Sequence, residues 1–176
     1  MLTALIDYES GNLHSALKAF EKISSENSLG SVTITNDPEI ISNADRLVLP
    51  GDGAFPACKA ALEKSEVFEA LKHAVLAKRR PFLGICVGMQ LMAKKGFEFE
   101  PTNGLNWING QVERIQLDDP SLKIPHMGWN EIAIDYDHAI LKDIKNGDHF
   151  YFVHSYQMRV FSCLLYTSPS PRDQVV

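Results

Sequence analysis

The stretch Phe82-Leu83-Gly84-Ile85-Cys86-Val87-Gly88-Met89-Gln90-Leu91 constrains this chain more than any other. An apolar run ends in a cysteine between two glycines, and the segment Val87 to Lys95 that follows is compatible with a helix. The pattern reads as a strand turning sharply into a helix with a thiol at the corner. Such a corner crowds the backbone, and glycine at 84 and 88 lets strand and helix approach closely. A cysteine in the first turn of a helix meets the partial positive charge of its N-terminus, which favours thiolate over thiol. The amide of Val87 then points toward whatever Cys86 attacks and supplies half of an oxyanion hole. Most free cysteines are plain core residues in apolar strands. The flanking glycines and the change of periodicity at the thiol set Cys86 apart.

Upstream, short apolar runs alternate with segments of helical spacing. Leu2 to Ile6 reads as a strand, and Leu13, Ala16, Leu17, Phe20 and Ile23 then fall on one face of a helix for which Asn12 is a candidate N-cap. Ser31 to Thr35 is a second strand, and Asp37-Pro38 opens a short helix through Ile41. Arg46 to Leu49 is a third strand, a helix is marked by Val67, Phe68, Leu71, Ala74 and Val75, and Pro81 to Ile85 is a fourth strand. This order predicts βαβ units and a mostly parallel sheet with helices on both faces. In such sheets the loops at the carboxyl ends of the strands carry the chemistry. Three of them converge here: Asp7 to Asn12, Pro50 to Phe55, and the Cys86 corner. The Pro50 loop exposes backbone amides at Gly51 and Gly53, the natural source of the other half of the oxyanion hole.

Past Lys95 the pattern changes to irregular antiparallel strands, so an antiparallel segment is expected after residue 105. Within it lies Ile124-Pro125-His126-Met127-Gly128-Trp129-Asn130, whose large amphipathic residues mark either a surface hairpin or a contact surface. His149 to Tyr156 reads as a strong strand, in which His154 suits a structural histidine as well as a site residue.

The chain of 176 residues supports one domain with a sizeable core, and its net charge of -5 without a basic block argues against nucleic-acid and membrane partners. Three widely spaced cysteines with no C-x-x-C pair point to reduced thiols in a cytoplasmic protein. The apolar stretch 81–93 is broken by glycines and Gln90 and does not suit a membrane span.

Four motifs together resemble the class I glutamine amidotransferases: Gly84-Ile85-Cys86-Val87-Gly88-Met89-Gln90, Leu49-Pro50-Gly51-Asp52-Gly53-Ala54-Phe55, Pro125-His126-Met127-Gly128-Trp129-Asn130 and Phe152-Val153-His154-Ser155-Tyr156. The third motif and the opening Asp7-Tyr8…Ser10-Gly11-Asn12 narrow the resemblance to the glutaminase subunits of imidazole glycerol phosphate synthase. The resemblance implies a flavodoxin-like fold over residues 1–158 and no metal or organic cofactor. Cys86 would attack the side-chain amide of glutamine, releasing ammonia and leaving a thioester for water to hydrolyse. Gly51, Gly53 and Val87 would hold the oxyanion, and Gln90, His154, Ser155 and Tyr156 would line the glutamine pocket. Asn12, His126, Met127, Gly128, Trp129 and Asn130 would face a TIM-barrel cyclase subunit that receives the ammonia, as one half of a heterodimer.

The sequence departs from the family in three places. The Phe-His-Pro-Glu stretch that completes the family's Cys-His-Glu triad is absent, and none of His14, His73, His126, His138, His149 or His154 has its context. Glu9 stands where glycine usually follows Asp-Tyr, and Asp52 where many members are apolar. The missing histidine leaves open a second reading, a catalytically silent subunit that binds the cyclase. The amidotransferase domain is therefore expected to be incomplete at its C-terminus. Residues 159–176, with their Ser-Pro pairs and no core periodicity, resemble translated cloning sequence rather than a folded element.

Overall fold

The computed structural model describes residues 1–117, 119, 121–134 and 138–161. The tail expected at 159–176 lies outside the described residues from 162 onward. Four parallel strands, β1 (Leu2–Ile6), β2 (Ser31–Thr35), β3 (Arg46–Gly51) and β4 (Phe82–Cys86), form a sheet in the order β2-β1-β3-β4. The chain leaves β1 in one direction and β3 in the other. Right-handed crossovers therefore send α1 (Leu13–Asn27) to one face and α3 (Phe55–Lys64) and α4 (Phe68–Lys72) to the other. The carboxyl ends of β1, β3 and β4 share one edge, as the strand order predicts.

Local sequence accounts for the helix ends. Asn12 caps α1 by accepting from the Ser15 amide at 3.2 Å. Asp37 caps α2 (Pro38–Asn43) by accepting from the Glu39 amide at 2.8 Å, with Pro38 in the first turn. Ile6, Leu49, Phe55, Leu62, Leu71 and Leu91 are fully buried in one core between sheet and helices. Each such side chain contributes about 1.5–3 kcal/mol by leaving water. Ile23, predicted on the apolar face of α1, is 53% exposed instead and borders an open apolar groove with Phe20, Val32, Phe82 and Leu83.

Two stretches depart from the reading of the sequence. The helix anticipated through Lys95 stops at Gln90 (α5, Val87–Gln90), and Ala93–Gly96 becomes strand β5. The cause is long-range pairing: the Leu91 carbonyl takes the Leu105 amide at 2.7 Å, and that of Met92 takes the Trp107 and Ile108 amides at 2.9 Å each. Helix α3 was not anticipated at all, although Phe55, Cys58, Lys59 and Leu62 bury one face of it. The lysine and cysteine dilute the apolar pattern that would have marked it.

The strands after residue 105 pair with one another antiparallel, as expected, and one parallel pairing reaches back to β5. β7 (Ile108–Arg114) pairs in parallel with β5 and antiparallel with β10 (Tyr156–Val160), and β6 (Thr102–Asn103) edges the sheet. β8 (His126–Glu131) and β9 (His149–His154) form a separate antiparallel ribbon with Trp129 opposite Tyr151 and His126 opposite His154. The stretch His126 to Asn130 is thus a regular strand. Its side chains alternate, with Met127 and Trp129 61% and 70% exposed and His126, Gly128 and Asn130 half-buried.

Candidate active site

Cys86 ends β4 and begins α5 with φ 54° and ψ −120°, a left-handed conformation that a non-glycine residue holds only under constraint. Both glycines of the corner are required by packing. A Cβ on Gly84 would stand 2.5 Å from Met89 Cα, and one on Gly88 would fall on the Leu49 carbonyl. The elbow therefore arises because α5 lies directly on β3 and β4.

The thiol opens into a cavity of about 270 Å³ whose near wall is Asp52, Gly53, Val87 and Gln90, and whose far wall is Val153, His154, Ser155 and Tyr156. Glu98 and Pro125 complete it. Predicted residues from three separate stretches thus meet around one sulfur. Gly51 does not line the cavity. It sits one layer below, against Tyr8 and the Val87–Gly88 backbone. Asn12 caps α1 and is not among the lining residues.

The loop after β3 is tied from below. Ser10 Oγ donates to the Asp52 carbonyl at 2.9 Å and accepts from the Asp52 amide at 3.2 Å, and Cys58 Sγ donates to the same carbonyl at 3.3 Å. The Asp52 amide is thereby occupied, while the Val87 amide reaches the thiol and Gly53 lines the cavity beside it. Beneath the loop, Tyr8 is 2% exposed and its hydroxyl lacks a hydrogen bond of regular geometry; burial raises its pKa well above the tyrosine value.

The electrostatics of Cys86 differ from the expectation. Burial against the corner pushes its pKa up, the Val87 amide pulls it down, and Asp52, Cys58 and Glu98 push it up further. Helix α5 is a single turn, so its dipole is too weak to reverse desolvation and two nearby carboxylates. The corner therefore disfavours the thiolate.

His154 does not turn a ring nitrogen to the sulfur. Its Nδ1 lies 3.0 Å from the Tyr156 carbonyl, and its Nε2 lies 3.2 Å from Nδ1 of His126. Glu98 had no motif to announce it. Its carboxylate accepts from the Phe55 amide at 2.7 Å and faces the cavity.

A family model for class I glutamine amidotransferases matches residues 4–170. The chain belongs to the class I glutamine amidotransferases. The amidotransferase is 55% identical over 161 residues to the imidazole glycerol phosphate synthase subunit HisH of Cereibacter sphaeroides, covering 91% of this chain and 76% of that protein. It is 55% identical over 173 residues to the subunit of the same name from Ruegeria pomeroyi, covering 98% and 79%. The corresponding Caulobacter vibrioides subunit is 48% identical over 156 residues, covering 88% and 73%. A crystal structure of a glutamine amidotransferase from Thermotoga maritima superposes with a TM-score of 0.55 at 17% identity, covering 91% of this chain and 63% of that one, and shares its fold.

Within this family the corner has a chemical reading. A strained cysteine, the Val87 amide beside it and a carboxylate lining the same small cavity suit attack on the amide carbon of an amino-acid side chain. Among the described residues no helix is long and apolar enough to cross a membrane.

Proposed function

We propose that this chain is the glutaminase subunit of imidazole glycerol phosphate synthase, acting in the cytoplasm. The observation that carries the reading is the convergence of Cys86, Gly53, Val87 and Glu98 on one cavity, together with relatives named imidazole glycerol phosphate synthase subunit HisH at 48–55% identity.

Glutamine enters with its α-ammonium group toward Glu98, the carboxylate across the cavity. Gln90, Ser155 and Tyr156 flank its backbone, and His154 closes the wall behind them. The Cys86 sulfur attacks the side-chain amide carbon, and the C=O π electrons move to oxygen, where the Gly53 and Val87 amides donate to it. Collapse expels the nitrogen, which takes up the proton given up by the Cys86 thiol and leaves as ammonia, and water then cleaves the thioester to glutamate and restores the thiol. Gly51 serves this step by packing, since it holds α5 against β3.

Ammonia passes to the cyclase partner, which docks on the outer face of the β8–β9 ribbon. There Met127, Trp129, Tyr151 and Val153 are all more than half exposed, and Trp129 and Tyr151 meet edge to face at 5.6 Å. Tyr151 and Val153 join this surface through register rather than motif. His126, Gly128 and Asn130 belong to the inner face.

A second reading is a silent subunit that docks without chemistry. It is favoured by the geometry of His154, whose ring nitrogens are both engaged, and by the high pKa of the thiol. Glutamate release from glutamine by the chain mixed with its cyclase, abolished by Cys86→Ala, supports the glutaminase. Tight cyclase binding with glutamate release equal to that of Cys86→Ala overturns it in favour of the silent subunit.

A further inference from the structure

On the inner face of the β8–β9 ribbon, polar groups run in an unbroken line toward the nucleophile's helix. Asn130 Nδ2 lies 3.4 Å from His126 Nε2, His126 Nδ1 lies 3.2 Å from His154 Nε2, and His154 Nδ1 lies 3.0 Å from the Tyr156 carbonyl. That carbonyl is also 3.4 Å from Nε2 of Gln90, which is 6% exposed and sits at the end of α5. Phe152 stacks on the His126 ring, with centroids 4.8 Å apart, and fixes its plane.

Chemistry settles the protons along this line. A carbonyl only accepts, so His154 carries its hydrogen on Nδ1. The Nε2 of neutral His154 is then an acceptor, so His126 must donate from its own Nδ1, and its Nε2 accepts from Asn130. With both rings neutral this arrangement satisfies all three contacts, and a proton added to either ring puts two donors face to face. In keeping with this, burial and the neighbouring His154 hold the His126 pKa below the histidine value.

We propose that His126 is a positioning residue for the cavity: by donating from Nδ1 to His154 it fixes His154 as the neutral Nδ1–H tautomer and so fixes the Tyr156 carbonyl and the Ser155–Tyr156 corner of the wall. The inference rests on that cavity being the glutamine site. It explains why the inner face of a ribbon with an apolar outer face keeps two histidines in contact. His126 serves the site from behind the wall and touches no reacting atom.

Long-range proton–nitrogen spectra of the histidine rings test this on the whole chain at neutral pH, with glutamine binding measured alongside. In the wild type we expect His154 as a single neutral Nδ1–H form. His126→Phe keeps the ring stacked on Phe152 but removes the donor. It should populate the Nε2–H form of His154 and weaken L-glutamine binding about tenfold, the size of one net hydrogen bond. His126→Asn, whose amide nitrogen reaches about where Nδ1 stood, should restore the Nδ1–H form. A wild-type His154 protonated on Nε2, or an Nδ1–H form that survives unchanged in His126→Phe, overturns the proposal. An intact tautomer pattern in a chain that does not bind glutamine supports the positioning and contradicts the assignment of the cavity.

Discussion

Ser10 Oγ engages both polar groups of the Asp52 backbone, donating to its carbonyl at 2.9 Å and accepting from its amide at 3.2 Å. One hydroxyl from the loop after β1 thus sets the course of the loop after β3, and with it the orientation of Gly53 beside the thiol. Ser10→Ala should release this tie at a cost of about 1 kcal/mol, modest because the contacts are partly solvated. Amide hydrogen exchange at Asp52 should accelerate while exchange in β1 and β3 is unchanged. Protection that persists at Asp52 would show the loop to be held by something other than Ser10.

The raised pKa of Cys86 has a direct kinetic consequence. Only the thiolate is alkylated, so the rate of iodoacetamide labelling should rise with pH and reach its midpoint above the ordinary thiol value of about 8.5. Asp52 and Glu98 disfavour the thiolate, so Asp52→Asn and Glu98→Gln should each move that midpoint down. At pH 8 each substitution should therefore raise the labelling rate. A midpoint below 8, or one indifferent to both substitutions, would mean that the single-turn helix outweighs desolvation.

Two glycines of the site should respond unequally to alanine. At Gly88 a Cβ meets the Leu49 carbonyl, so Gly88→Ala should destabilise the chain by about 3 kcal/mol or more, or prevent folding. At Gly53 nothing lies within 4 Å of a new Cβ, and only its φ of +106° opposes the change. Gly53→Ala should therefore cost about 1–2 kcal/mol and leave the fold intact. Glu9 is the converse case. It holds φ 65° where the family carries glycine, so Glu9→Gly should stabilise by roughly 1 kcal/mol, measurable as a higher midpoint in urea.

Trp129 is 70% exposed and contacts chiefly Tyr151, so it has little to do in the isolated chain. Trp129→Ala should change thermal stability by less than about 1 kcal/mol but weaken cyclase binding at least tenfold, as loss of an aromatic anchor does. Equal binding by calorimetry would remove the outer ribbon face from the interface.

The Cys86 corner was legible because its signal is local: two glycines and a change of period fall within seven residues. The parallel sheet was legible for the same reason. Residues 91–96 were not, because their state is set by carbonyls that Leu105, Trp107 and Ile108 claim from a distance. Glu98 sits in a plain Phe-Glu-Phe-Glu run and gains meaning only when folding turns it toward the thiol. His126 and His154 stand in separate motifs, and only the antiparallel register puts them opposite each other. The alternation of large outer and polar inner residues along both strands was the available clue. Taken alone, the stretch from Ile124 to Asn130 shows a single contact surface, and only the pairing with β9 separates it into two faces.

The most direct test of the site is covalent. A chloromethyl ketone analogue of glutamine carries its own leaving group, so attack by the thiol needs no acid to expel ammonia. Mass spectrometry of the treated chain should show an adduct on Cys86 and none on the buried Cys58, and L-glutamine should protect Cys86 against it. Labelling that ignores glutamine, or that spreads to Cys58 at the same rate, would contradict a glutamine pocket built around Cys86.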